Sequence, residues 1–147
     1  MDEDEMQEVC RLLGSAVIDS GLLEHRITHL TVRLTGKPRD KLPMQVRRRI
    51  GLCQGAADKL EPAWLAAEMK KVLSEADGVI EDRNYYVHGQ WLIDCPPDED
   101  EPGFLAVYDR LRNRDEPVSV AKLRKLGEDI ARVQRELIRV SGRLPRP

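Results

Sequence analysis

Apolar residues recur at helical spacing along most of the chain. Val9, Leu12, Leu13, Ala16, Val17, Leu23, Ile27, Leu30 and Leu34 predict one long helix from about Glu3 to Thr35, with irregularity at Gly14 and Gly21. Asp2 to Glu5 put negative charge where a helix dipole favours it. Gly36-Lys37-Pro38 ends the run. A second stripe, Val46, Ile50, Cys53, Ala57 and Leu60, predicts a helix with Pro43 in its first turn. A third begins at Glu61-Pro62 and carries Leu65, Met69, Val72, Leu73, Ala76, Val79 and Ile80 inward, with Trp64 at its start and Gly78 as a point of bending. The last helix is capped by Ser119 and striped by Val120, Leu123, Leu126, Ile130, Val133, Leu137, Val140 and Leu144, with a frayed tail at Arg143–Pro147.

Between the third and fourth helices the period changes. Trp91-Leu92-Ile93 and Phe104–Tyr108 read as short strands around the acidic, proline-rich loop Pro96–Gly103. Basic Arg110, Arg112 and Arg114 follow. The expected fold is all-α: an antiparallel four-helix bundle with a β-hairpin-like insertion at about 91–117, in a single domain covering 1–147.

Composition narrows the class. The chain has 147 residues, 34% of them charged, and a formal net charge of −2, so charge does not announce a nucleic-acid binder. The charge is uneven. Arg33–Arg49 and Arg110–Pro147 are rich in Arg and Lys, while acids gather at Asp2–Glu8 and Asp98–Glu101. Cys10, Cys53 and Cys95 are isolated singles, which argues against a zinc ribbon or a disulfide framework. An acidic N-terminus without an apolar run predicts no signal peptide, and no segment reaches a membrane-spanning length. The expectation is a cytoplasmic protein with no membrane partner.

Candidate chemistry is concentrated in Glu81-Asp82-Arg83-Asn84-Tyr85-Tyr86-Val87-His88-Gly89-Gln90-Trp91. On a helix Asn84 and His88 share a face, and Arg83 lies about 140° round from His88. Gly89 offers a stop. A permanent cation beside an imidazole suits a phosphate. His25 and His29, four apart, have chelate spacing, but no further ligand completes a metal set, so no metal or cofactor is expected.

Arg83-Asn84-Tyr85-Tyr86-Val87-His88 resembles the Arg-x4–6-His motif of the HEPN superfamily, a family of compact helical bundles with the motif on a late helix. Asn84 fits the polar position after the arginine, and the run through Gly89 and Trp91 looks like one seen in small bacterial HEPN-like proteins. The resemblance implies a metal-independent endoribonuclease acting as a toxin or defence component. His88 would act as general acid or base, Arg83 would stabilise charge on the phosphate, and Asn84 would orient His88 or the phosphate. Such sites are composite, and this chain has one motif, so the resemblance implies a homodimer with RNA as substrate and a cognate antitoxin or other protein partner. Tyr85 and Tyr86 are candidate base-stacking residues, and Arg47 and Arg48 candidate backbone contacts. Two alternatives stand beside this. One is a non-catalytic HEPN-like module for protein or nucleotide contacts. The other is a helix end in which Arg83 pairs with a carboxylate, Asn84 faces water and His88 caps the last carbonyls near Gly89.

Overall fold

The computed structural model describes residues 2–94, 104–109 and 114–146. Four α-helices, α1 (Glu3–Thr35), α2 (Val46–Ala57), α3 (Ala63–His88) and α4 (Val120–Ser141), pack with a three-stranded antiparallel sheet inserted before α4. The all-helical bundle with a β insertion is therefore present. Its insertion is larger than a hairpin: β1 (Gln90–Asp94) and β3 (Arg114–Pro117) flank β2 (Phe104–Asp109). Trp91 registers with Val107 and Glu116 with the same Val107 on the other side. The acidic loop Pro96–Gly103, with Cys95, Arg110 and Arg112, lies outside the described residues.

α1 runs unbroken through Gly14 and Gly21. Asp2 caps it by accepting from the Glu5 amide at 2.8 Å. Gly36 ends it at φ 68°, a left-handed position that glycine adopts without a Cβ penalty. α2 starts at Val46, later than Pro43 suggests. The reason is Arg49, whose guanidinium takes the Pro43 carbonyl at 2.6 Å and the Met44 carbonyl at 2.7 Å and holds that segment outside the helix. α3 is continuous through Gly78, and all seven apolar positions of its predicted stripe are buried.

Contacts along the helices fix their directions. α3 runs against α4, with Glu75 meeting Arg132 near the middle and Glu68 meeting Arg139 nearer its start. It also runs against α2, through Arg47–Asp77 at one end and Asp58–Lys70 at the other. α1 and α4 run in the same direction: Glu8 meets Arg124, Gln134 donates to the Asp19 carbonyl, and Arg33 reaches Ser141.

Two apolar clusters result. The larger one lies among the helices, around Leu23, Ile27, Leu73, Ile80, Ile130 and Leu137. Truncating one of these large side chains to alanine costs about 2–5 kcal/mol. The smaller cluster, Val9, Val107, Val118 and Leu123, joins the starts of α1 and α4 to the sheet. Tyr86 packs against both clusters.

The tail beyond α4 is held, not frayed, through Pro145. Leu144 is buried, and Arg33 donates to the Leu144 carbonyl at 3.0 Å and the Pro145 carbonyl at 2.7 Å. Arg143 lies over the half-exposed Trp64 ring at 5.4 Å and pairs with Glu68.

Candidate functional site

The motif occupies the last two turns of α3, where the bundle meets the sheet. Its side chains are positioned by different neighbours. Arg83 points toward α1, where Nη2 donates to Glu24. Its side chain is 13% exposed and that of Glu24 is 30% exposed, so the pair is partly shielded from water. Arg83 Nε is buried without a hydrogen-bond partner. The guanidinium is thus committed to an internal carboxylate.

Glu24 belongs to a polar strip on the inner side of α1. Ser20, Thr28 and Thr31 are buried on that helix and satisfy their hydroxyls locally: Ser20 donates to the Val17 carbonyl, Thr28 to Glu24 and Thr31 to Ile27. Arg49 joins the strip by donating to Thr28 Oγ1 at 2.9 Å. Thr31 Oγ1 lies 3.0 Å from the buried Cys53 thiol, whose pKa burial raises. Small hydroxyl residues at helical spacing beside an acid were the available signal for Glu24 as a partner of a distant cation.

Asp77, Glu81, Asn84 and His88 recur at spacings of four, three and four, so they share a face of α3. His88 is exposed at the helix end and Asn84 is half-buried. Arg47 from α2 pairs with this face. It donates to Asp77 at 2.7 and 2.9 Å and lies 3.6 Å from Glu81. Arg48 is exposed on the same helix.

Tyr85 and Tyr86 are half-buried and meet edge to face, with centroids 5.1 Å apart. Tyr85 donates to the Val107 carbonyl at 3.3 Å, and Trp91 Nε1 donates to the Tyr86 carbonyl at 2.7 Å. The aromatic residues of the motif therefore bind helix to sheet. Burial, followed by the negative surroundings of Tyr85, Glu116 and Asp82, raises the Tyr86 pKa.

Gly89 ends α3, but not through a left-handed turn. Its φ is −67° and ψ 157°, an extended conformation. Glycine is needed for space: a Cβ there would collide with Val107 Cγ1 and with the Tyr85 carbonyl oxygen.

On the far side of the tyrosines lies a shallow pocket of about 410 Å³ lined by Asp82, Glu116, Lys122, Lys125 and Asp129 with the two rings. Burial, then repulsion from Glu81 and Asp129, raises the Asp82 pKa. This surroundings is mixed in sign rather than uniformly basic.

A larger groove of about 880 Å³ runs between α1 and α4, away from the Glu24 strip, and Leu22, His25, His29, Arg33 and Ile138 line it. Among the described residues no cluster of three or more His, Cys, Asp or Glu could hold a metal, and no helix is long and apolar enough to cross a membrane. Set against protein-family models, curated proteins and solved structures, the chain matches none.

Proposed function

We propose that the chain is a HEPN-like helical module that makes protein contacts and does not cut RNA. The observation that supports this is the state of the arginines. Arg83 is matched by Glu24, and Arg47 by Asp77 and Glu81. A scissile phosphate would have to displace a carboxylate from a shielded guanidinium, leaving Glu24 without its partner. The contact surface this reading favours is the α1/α4 groove, where Leu22 and Ile138 are 52% and 47% exposed, with Ile18, 68% exposed, one turn before Leu22 on α1.

Labelled single-stranded RNA, incubated with the protein in the presence of a chelator, tests this. The wild type, His88→Ala, Arg83→Ala and Glu24→Gln are all expected to leave it intact. Glu24→Gln is the demanding arm, because it removes the charge that occupies Arg83. Cleavage by that variant, lost again when His88 is replaced, would overturn the binding-only reading.

A second reading keeps the endoribonuclease, acting across a homodimer as a toxin or defence component with a cognate antitoxin. The exposure of His88, with Asn84 one turn before it, favours this reading. It requires wild-type cleavage without metal, lost in both His88→Ala and Arg83→Ala.

A further inference from the structure

On α1, His25 and His29 are exposed, and their Nε2 atoms are 3.1 Å apart. The rings meet edge to face, with centroids 4.5 Å apart and planes at 72°. A zinc-class ion bound by two imidazoles at roughly 2.0–2.1 Å needs nitrogens about 2.9–3.4 Å apart for bond angles between tetrahedral and right-angled. The pair already has that bite. In the metal-free protein a hydrogen on one Nε2 bridges to the other, and the tautomer sets which ring donates it. On binding, that hydrogen moves through solvent to Nδ1 of its own ring, and both Nε2 lone pairs face the ion.

Two nitrogens leave two positions of a tetrahedral ion open. Among the described residues nothing else in the chain supplies them. The surface around the pair does indicate what would. Ile18, Leu22, His25 and His29 fall at spacings of four, three and four, which makes one stripe on the outer face of α1. Ile18 and Leu22 are exposed apolar residues, and Ile138 of α4 extends the patch across the groove. The spacing is that of an a/d seam, the geometry with which one helix packs along another copy of itself. A two-fold contact between copies brings the same histidine pair from the other side. Arg26 lines the groove too and opposes an ion by like charge, whereas Arg33 is occupied by the carbonyls of Ser141, Leu144 and Pro145.

We infer that His25 and His29 form half of a four-histidine site for a divalent transition metal ion, completed by the same pair on a second copy of the chain docked along α1. This rests on the reading of the α1/α4 groove as the contact surface, and it does not depend on whether RNA is cleaved.

Zinc chloride titrated into the full chain tests it, with binding followed by calorimetry and mass by sedimentation velocity. The wild type is expected to bind one ion per pair of chains and to shift from monomer to dimer, and a chelator should reverse both. His25→Ala and His29→Ala should lose both responses, with circular dichroism verifying that the helices are retained. Leu22→Glu leaves the ligands in place and should lose the dimer. Zinc uptake that is absent, or unchanged in the histidine variants, overturns the site. One ion per chain on a monomer overturns its completion by a second copy. A dimer equally stable without zinc overturns the role of the ion. The RNA assay is read separately, so cleavage there rejects the binding-only reading without touching these outcomes.

Discussion

Arg83 Nη2 donates to Glu24 Oε1, tying the last turns of α3 to the middle of α1 across 59 residues of chain. Arg83 is the less exposed partner, at 13%. Arg83→Ala is expected to lower unfolding free energy by about 1–3 kcal/mol, because it removes a charge-assisted hydrogen bond from a shielded carboxylate. In a double-mutant cycle with Glu24→Gln the two changes should couple by at least about 0.5 kcal/mol. Denaturant unfolding of the four proteins measures this, and additive effects would mean the pair contributes nothing.

Gly89→Ala should destabilise by about 1–3 kcal/mol through overpacking. The added methyl meets both the Val107 side chain and the Tyr85 carbonyl. Val107→Ala in the same protein should therefore recover only part of the loss, since the carbonyl cannot be trimmed away. Full recovery in thermal melts would show that the backbone contact is unimportant.

Glu8 is held well below the usual carboxylate range, at about 2 against 4.5, chiefly by hydrogen bonds from Arg11 and then by those from Arg124. A lowered folded pKa means the stabilisation is present above about 4.5 and is lost as pH falls toward about 2. Solvent and salt weaken such an exposed pair. Carboxyl titration by NMR should place Glu8 near 2, below the usual glutamate range, in the wild type and move it upward in Arg11→Ala. A Glu8 that titrates identically in both proteins would contradict the assigned cause.

Asp82 runs the other way. Burial and the neighbouring Glu81 and Asp129 raise its pKa, so the folded state holds this proton more tightly than the unfolded chain does. The ionised form costs stability, and that cost appears as pH rises through the shifted pKa. Asp82→Asn is expected to raise the melting temperature at neutral pH, with the gain shrinking on acidification. A lower melting temperature at neutral pH would count against this.

The helices were readable because burial on a helix leaves a period. Every apolar position of the α3 stripe is buried, and α1 has the boundaries its stripe and Gly36 suggest. The third strand left no such mark. Arg114–Pro117 is mostly polar and is held by its backbone pairing with β2. The start of α2 was misplaced because Pro43 is well suited to a first turn, whereas Arg49 holds its carbonyl elsewhere. The motif was found from its residue types, but the partner of Arg83 was not. Periodicity assigns a residue to a face of its own helix and does not say which side chain on another helix lies opposite.

Because α1 and α4 run the same way, their backbone dipoles point alike, and the partial negative charges of both C-termini fall at one end of the bundle. Like poles side by side repel. Arg33, in the last turn of α1, puts its guanidinium on the carbonyls of Ser141, Leu144 and Pro145 at the end of α4. One residue thus supplies the compensating charge for its own helix and the capping donors for its neighbour. The two C-termini are therefore one electrostatic unit, and a change of charge at Arg33 would be felt by both helices at once.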